Sequence, residues 1–302
     1  MTIAIAVHGG AGPNTPFLKA HMKEAEQGLA DAARAGYGVL QSNGSAVDAV
    51  EEAVKILEDN PMFNAGRGSS LNCDGEVEMD ASIMDGRKFD AGAVSMVRLV
   101  KNPISLARLI MEKTNHVLLS GYGALEFAKR HNLTLKPPAY FIAEHKYDEF
   151  EELRDESYED ILLKKIYGTV GAVALDHFGN LAAATSTGGT SNCLPGRVGD
   201  SCHIGAGCYA NNNTCAVSGT GEGEFLITRV IGHSISVMCE MHNMGIQEAC
   251  QNVIHVRNKD CGGEMGVIAL NPQGDVGIAF NTEVMKRAWI GPDGQLHVQI
   301  KK

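Results

Sequence analysis

The chain has 302 residues, of which 44% are hydrophobic and 21% are charged, a balance typical of a globular protein with a buried core. Its formal net charge of −10 argues against nucleic acid as a partner, because phosphate binding requires clustered Lys and Arg. No apolar stretch approaches the roughly 18 residues of a membrane span. The apolar run at 2–7 is too short for a signal peptide, so we expect a cytoplasmic protein.

Eight cysteines raise the alternatives of a disulfide framework or a zinc site. None of them forms a C-x-x-C pair, which is the spacing that tetrahedral zinc sites usually show. In a chain of this size and expected location, buried free thiols are the better interpretation.

The first half of the chain alternates strand and helix patterns. Ser45 and Asp48 stand at the N-cap and third helical positions of a capping box, which marks one helix start. In chain order we predict a strand at 3–7, a turn at 8–13, helices at 17–37 and 45–59, strands at 76–85 and 91–97, and helices at 103–113 and 123–130.

The second half follows a charged stretch, about 135–168, that has little periodicity and reads as a linker. The pattern then predicts a hairpin of strands 170–175 and 181–187, helices at 224–242 and 247–257, and strands at 266–270 and 276–281. Hairpins favour antiparallel sheets, so the fold class is α+β. Helices outside two stacked sheets are a plausible arrangement.

Gly168 and Thr169 carry the first chemical signal, at the junction of the linker and a strand. A threonine hydroxyl is a poor nucleophile unless a base takes its proton. If the chain breaks before Thr169, the new α-amine, with a pKa near 8, lies within reach of its own hydroxyl. Taken alone, the pattern is more often an ordinary strand start, because short motifs produce many false positives.

Three further segments lie in the same half. Thr187 closes the hairpin that Thr169 opens, which brings the two side by side. Arg197 and Asp200 stand three residues apart among glycines, as a ligand-binding pair or as an exposed ion pair of little energetic value. Residues 218–224 form a glycine-rich turn into a helix that offers N–H donors to an anion, but they lack the ending of a phosphate-binding Walker loop.

Taken in order, six segments resemble the plant-type asparaginases and isoaspartyl peptidases, which are N-terminal-nucleophile hydrolases. The segments are 8–12, 64–68, 168–176, 186–189, 196–200 and 219–224. The resemblance implies a four-layer αββα sandwich and one domain, 1–302, cut by itself between Gly168 and Thr169. It also implies that the α subunit 1–168 and the β subunit 169–302 stay together, and that two such heterodimers form an (αβ)2 heterotetramer.

The resemblance also assigns catalytic roles. Thr169 would attack the side-chain carbonyl of L-asparagine or of a β-aspartyl dipeptide, and Thr187 would hydrogen-bond and tune it. Thr220 and Gly221 would form the oxyanion hole. Asn64 would orient the scissile region.

Substrate recognition and ions follow from the same resemblance. Arg197 would bind the α-carboxylate of the substrate, Asp200 its α-ammonium, and Gly223 would add a backbone contact. No cofactor is expected. One loop matches the loop with which the family binds a sodium ion through backbone carbonyls. The matching carbonyls are those of Leu57, Glu58, Asn60, Phe63, Ala65 and Arg67.

Four alternatives are weaker. A lysosomal glycosylasparaginase or a taspase-type protease would carry Asp where this chain has Gly168. An uncleaved scaffold protein would give one band on a denaturing gel instead of two. A nucleotide-binding enzyme would use the glycine segments, but 8–12 lacks the G-x-G-x-x-G spacing. The sequence leaves open the preference between asparagine and β-aspartyl dipeptides.

Overall fold

The computed structural model describes residues 2–162 and 168–301. Its strands are β1 Ala4–Gly12, β2 Met79–Asp85, β3 Asp90–Val97, β4 Leu118–Ser120, β5 Val170–Leu175, β6 Leu181–Thr187, β7 Cys208–Ala210, β8 Ala216–Gly221, β9 Met265–Leu270, β10 Val276–Phe280, β11 Val284–Ile290 and β12 Leu296–Gln299. Its α-helices are α1 Pro16–Ala20, α2 Met22–Gln41, α3 Ala46–Asp59, α4 Pro103–Lys113, α5 Gly121–Arg130, α6 Glu144–Leu153, α7 Tyr158–Leu162, α8 Gly223–Arg229, α9 Ile231–His242 and α10 Ile246–Gln251.

Within these ranges the strands form two sheets. The larger has the order β12-β11-β1-β5-β6-β2-β3-β4, and the smaller has the order β10-β9-β8-β7. All neighbours pair antiparallel except β3 and β4. No helix of the described residues is long and apolar enough to cross a membrane.

Three hydrophobic cores define the layers. The first joins the larger sheet to α2, α3, α4 and α5; the second lies between the sheets; the third joins the smaller sheet to α8, α9 and α10. Successive residues of β5 point to opposite faces of the larger sheet. Val170, Ala172 and Ala174 belong to the first core, and Val173 and Leu175 belong to the second. The α+β sandwich of helix, sheet, sheet and helix layers is thereby confirmed.

Several predicted elements are confirmed, with bounds at or close to the predicted ones. The hairpin strands β5 and β6 and helix α4 match the predicted ranges. Helix α3 begins with the predicted capping box, in which the Asp48 N–H donates to Ser45 Oγ at 3.1 Å and the Ser45 N–H donates to Asp48 Oδ2 at 3.0 Å.

The turn predicted at 8–13 is wrong. β1 runs on through Gly12, with a register shift between His8 and Ala11 that marks a bulge. The helix predicted at 17–37 is two helices, α1 and α2. Helix α2 continues to Gln41, because Gly36 packs against the sheet and does not end the helix. A Cβ on Gly36 would collide with Ile5 Cδ1, so the glycine lets α2 approach the sheet closely.

In the second half, the helix predicted at 224–242 is broken at Val230, which has a left-handed φ of 50°. The predicted glycine-rich turn is mostly strand, because β8 extends to Gly221 before α8 begins. The segment predicted as linker contains a 3₁₀ turn, Pro138–Tyr140, and helices α6 and α7, none of which buries a residue; 163–167 lie outside the described residues.

Candidate active site

Two hydrogen-bond donors converge on the peptide bond between Gly168 and Thr169. Asn64 Nδ2 lies 2.8 Å and Thr187 Oγ1 2.7 Å from the Gly168 carbonyl oxygen, and both side chains are buried. Donors at this oxygen would stabilise the negative charge that develops when a nucleophile adds to the carbonyl carbon. The arrangement suits attack on this carbonyl by the adjacent Thr169 hydroxyl.

The β5–β6 hairpin places Thr187 here. Val170 of β5 pairs with Ser186 of β6. Thr187, the residue after Ser186, therefore lies beside the Gly168–Thr169 bond that precedes Val170. The expected closeness of Thr187 to the start of β5 is therefore observed. On its other side Thr187 pairs with Asp80 of β2, so it sits inside the sheet rather than at an edge.

Asn64 lies in the loop after α3 and its side chain is held from several directions. Its amide also donates to the Gly189 carbonyl at 2.7 Å, and its Oδ1 accepts from the Ser70 N–H at 2.8 Å. These partners fix which way the amide points. A Cβ on Gly168 would lie 3.0 Å from Asn64 Cβ, so glycine permits the close approach.

The bulge of β1 brings Gly10 against the backbone of Thr169. Gly10 has a φ of +105°, and a Cβ there would lie 3.3 Å from the Thr169 carbonyl oxygen and 3.5 Å from its nitrogen. Gly10 therefore permits close packing of β1 beside the residue that precedes β5. Lys286, which the sequence analysis missed, reaches the same place, with its Cε 3.6 Å from that Cβ position.

His8 ties the two sheets together behind the site. Its Nε2 lies 2.9 Å from Ser218 Oγ, which in turn lies 2.8 Å from Thr185 Oγ1. Burial lowers the pKa of His8 to about 3; the Thr169 backbone opposes this shift and the Lys286 charge adds to it. The imidazole is therefore neutral near pH 7 and serves as a hydrogen-bonding partner between sheets.

Thr220 and Gly221 end β8 on the facing sheet. Thr220 Oγ1 accepts a hydrogen bond from the Ala11 N–H at 3.2 Å, one residue beyond the Gly10 that touches Thr169. Gly221 has a φ of +129°, and a Cβ there would collide with the Glu264 carbonyl oxygen. Of the two residues predicted as an oxyanion hole, Thr220 thus reaches β1 beside the site from the opposite layer, and Gly221 follows it in the chain.

Arg197 is engaged by a carboxylate in this structure. Its Nε and Nη2 donate to the two carboxylate oxygens of Glu224 at 3.0 and 3.1 Å, a bidentate pair. The alternative of an Arg197–Asp200 ion pair is not observed. The contact shows that the guanidinium is placed to bind a carboxylate, and that the chain itself supplies one.

Asp200 is fully buried next to Arg197, and Gly223 lies between the two. A Cβ on Gly223 would lie 2.9 Å from Asp200 Oδ1 and 3.1 Å from Arg197 Nη2, so the three predicted substrate-binding residues converge. Asp200 Oδ2 has no hydrogen-bond partner among the described residues. Burial raises the pKa of Asp200 to about 7, against the lowering effect of Arg197.

A second buried carboxylate, Asp80, was missed by the sequence analysis. It accepts hydrogen bonds from the Met96 N–H at 3.0 Å and the Gly199 N–H at 3.1 Å, and so anchors the loop that carries Asp200. Burial raises its pKa to about 6. Its strand also carries Ser82 and Asp85, so no local pattern singles out this carboxylate.

A cavity of about 380 Å³ lies beside Arg197. Its walls come from helix α7 and from the loops at the site: Ile161, Leu162, Thr190, Cys193, Leu194, Pro195, Gly196, Arg197, Glu222 and Glu224. A larger cavity of about 660 Å³ lies near the start of α3 and is lined by none of the predicted site residues. Helix α7 therefore borders the cavity next to Arg197 in the intact chain.

The predicted sodium loop is compact around the backbone of Glu58. The Arg67 N–H donates to the Glu58 carbonyl at 2.6 Å, and the Phe63 N–H to the Asn60 carbonyl at 3.2 Å. Each carbonyl keeps a second lone pair for a cation. Glu58 Oε2 is buried without a hydrogen-bond partner among the described residues, and burial raises the pKa of this carboxyl to about 8, so it is mostly neutral near pH 7. A cation here would therefore be held by the carbonyl oxygens. This donor set fits a hard cation such as sodium.

Comparison with known proteins agrees with this geometry. A family model described as Asparaginase matches residues 1–300. An isoaspartyl peptidase of Salmonella typhimurium is 43% identical over 294 residues, covering 94% of each chain. An isoaspartyl peptidase/L-asparaginase of Xenopus laevis is 43% identical over 99% of this chain and 96% of its own, and one of Mus musculus is 46% identical over 91% and 84%.

A threonine beside a polarised carbonyl, in a four-layer sandwich with an arginine placed for a carboxylate, is the arrangement of an N-terminal-nucleophile hydrolase. The chain belongs to the asparaginase family of these hydrolases.

Proposed function

We propose that this protein cuts itself before Thr169 and then hydrolyses the side-chain amide of L-asparagine and of β-aspartyl dipeptides. The observation that carries the proposal is the pair of donors, Asn64 and Thr187, on the carbonyl of Gly168. The relatives named isoaspartyl peptidase and isoaspartyl peptidase/L-asparaginase support the choice of substrates.

Self-cleavage would begin with attack of Thr169 Oγ on the Gly168 carbonyl carbon. Asn64 and Thr187 would hold the resulting oxyanion. The C–N bond of the peptide then breaks, the nitrogen takes the proton of the hydroxyl, and an ester joins Gly168 to the Thr169 oxygen. Water hydrolyses this ester, which releases an α subunit of residues 1–168 and a β subunit of residues 169–302.

In the cleaved enzyme, the new α-amine of Thr169 would act as the base for its own hydroxyl. The hydroxyl attacks the substrate side-chain carbonyl, and Thr220 Oγ and the Gly221 N–H stabilise the oxyanion. The amine returns the proton to the departing ammonia or peptide amine. Water then hydrolyses the acyl-enzyme and releases aspartate.

Recognition would rest on the residues that meet around Gly223. Arg197 binds the α-carboxylate bidentately and ionised Asp200 pairs with the α-ammonium, which leaves the β-carbonyl at the nucleophile. For this, Glu224 must release Arg197. Because α7 borders the same cavity, substrate access would improve once the chain is cut and this segment is free to leave.

The loop around Glu58 would hold a structural sodium ion through the carbonyls of Leu57, Glu58, Asn60, Phe63, Ala65 and Arg67. The ion would fix the loop that carries Asn64 and take no part in bond making. Its binding is testable by thermal unfolding in sodium and in choline chloride, with a lower midpoint expected in choline because a ligand of the folded state stabilises it.

We further propose an (αβ)2 assembly in the cytoplasm. Exposed apolar residues lie together at the edge of the larger sheet, where Val117 and Leu118 of the β4 edge and Tyr122 of α5 are 51%, 44% and 78% exposed, and such clusters mark contact surfaces. All eight cysteines are free thiols, which fits a reducing compartment. Sedimentation of the cleaved protein would give the mass of two chains; the mass of one chain would contradict the pairing.

The function is tested by intact mass spectrometry and activity together. Purified protein held at neutral pH should give two masses that divide between Gly168 and Thr169, and a Thr169→Ala control should stay whole. The cleaved protein should then release aspartate from L-asparagine and from β-aspartyl-leucine. One uncut mass in both proteins, without hydrolysis of either substrate, would support the scaffold alternative.

A further inference from the structure

Lys286 occupies a position that the proposed reaction does not yet use. His8 pairs with Arg287 and Ala11 with Met285, so Lys286 of β11 faces the bulge at Gly10. Its Cε lies 3.6 Å from the Cβ position of Gly10, and that same point lies 3.5 Å from the Thr169 nitrogen. The lysine side chain and the future α-amine therefore border the same glycine.

The charge of this lysine is not balanced within the described residues. No ion pair joins Lys286 to a carboxylate there, and burial, followed by repulsion from Lys146, lowers its pKa to about 8. Lys146 has its own partner, Glu149, at 2.7 Å. The other titratable neighbour, His8, is neutral near pH 7. An anionic group arriving beside Gly10 would thus meet a cation that lacks a counter-charge.

The contacts across the site indicate which part of a bound substrate would face Lys286. At one end, Asp200 and Arg197 flank Gly223. In the middle, Thr220 bonds to the backbone of Ala11, and Gly10 touches Thr169. At the other end, Lys286 Cε lies 3.6 Å from the Cβ position of Gly10. A substrate with its α-amino acid head at Arg197 and its β-carbonyl at Thr169 would extend its leaving group towards Lys286.

The leaving groups of the two substrates differ in charge. Asparagine releases ammonia, whereas a β-aspartyl dipeptide releases an amino acid that carries a carboxylate. The departing nitrogen must take its proton from the Thr169 amine, which lies at Gly10, so the rest of the leaving amino acid passes close to Lys286.

We propose that Lys286 binds the C-terminal carboxylate of β-aspartyl dipeptides and makes them better substrates than free asparagine. This proposal rests on the proposed function and deepens it. A charge-assisted hydrogen bond to the carboxylate would strengthen binding of the dipeptide free acid. The dipeptide amide and asparagine have no such carboxylate and would bind more weakly.

The test compares three substrates, β-aspartyl-leucine, its C-terminal amide and L-asparagine, on cleaved wild type, Lys286→Met, Lys286→Arg and the control Lys88→Met. Lys88 is an exposed lysine in the turn between β2 and β3. Wild type should show a KM at least about tenfold lower for the free acid than for the amide. Lys286→Met should abolish that ratio, Lys286→Arg should restore part of it, and Lys88→Met should keep it.

Two outcomes would overturn the proposal. The first is equal KM values for acid and amide on wild type, a result that needs no variant and so does not depend on the folding of Lys286→Met. The second is an equal loss on all three substrates in Lys286→Met, which would place the lysine with the nucleophile. Failure of wild type to hydrolyse any of the three would instead refute the proposed function itself.

Discussion

Arg197 and Glu224 form a bidentate ion pair, with N–O distances of 3.0 and 3.1 Å, at the position where the proposed substrate presents its α-carboxylate. Arg197 is largely covered, whereas the Glu224 side chain is 63% exposed. The glutamate therefore competes with the substrate for the guanidinium, but an exposed partner holds it only weakly.

Replacing Glu224 by Gln should lower KM for L-asparagine by about twofold to fivefold with kcat unchanged, since an exposed ion pair contributes at most about 1 kcal/mol. Steady-state kinetics on the cleaved enzyme would measure this. Glu240→Gln, a change of an exposed glutamate on α9, is the matched control. A rise in KM would mean that Glu224 holds Arg197 in its binding position instead of competing for it.

Removing either donor to the Gly168 carbonyl should slow self-cleavage. We expect Asn64→Asp and Thr187→Val each to reduce the rate by about 10²-fold, the cost typical of losing one oxyanion donor. Thr187→Ser keeps its hydroxyl and should cleave at nearly the wild-type rate. A time course on denaturing gels gives the rates; cleavage of Thr187→Val as fast as wild type would show that this hydroxyl does not stabilise the oxyanion.

The sequence predicted the hairpin around the site well, because local signals fix it. Two short apolar runs separated by a turn with Gly179 and Asn180 determine β5 and β6, and the register then places Thr187 beside Gly168. The capping box likewise fixed the start of α3. These elements need no information from distant parts of the chain.

Other features depend on contacts that no local pattern reveals. Gly36 looks like a helix end, yet it continues α2 because the sheet packs against it. Asp80 is one of several polar residues in its strand, and Lys286 lies in β11, where no strand was predicted; only the folded chain brings them to Gly199 and Gly10. The Arg197–Glu224 pair joins residues 27 positions apart across a glycine-rich segment, so the sequence offered only an Arg197–Asp200 alternative.

Activity should depend on the ionisation of Asp200. Burial raises the pKa of this carboxyl to about 7, and only the ionised form pairs with the substrate ammonium. We therefore expect kcat/KM for L-asparagine to rise with pH through about 7 as Asp200 ionises, and to keep rising towards pH 8 as the Thr169 amine, with its pKa near 8, loses its proton. A pH–rate profile from pH 5 to 9 would measure this; a profile flat across pH 6 to 8 would contradict the assignment.

The same raised pKa predicts an effect on stability. The folded protein holds this proton more tightly than the unfolded chain, whose carboxyl has a pKa near 3.8, so the contribution of Asp200 to stability falls as pH rises from about 4 to about 7. Asp200→Asn should accordingly unfold at a higher temperature than wild type at pH 8, and show little difference at pH 4. Calorimetry at both values tests the sign.

Gly171 of β5 lies against His8 of the neighbouring strand and Ser218 of the facing sheet. A Cβ there would collide with Ser218 Oγ and lie 2.6 Å from His8 Nε2. Gly171→Ala should therefore force the sheets apart and lower the free energy of unfolding by about 1–3 kcal/mol, the range for overpacking a core. Gly12→Ala is the matched control, because a Cβ on Gly12 meets nothing within 4 Å. Urea unfolding of both variants measures the difference in the free energy of unfolding. Because His8 and Gly10 both lie in β1, self-cleavage should also slow in Gly171→Ala and not in Gly12→Ala. Equal stability of the two variants would mean that the layers can separate there without loss.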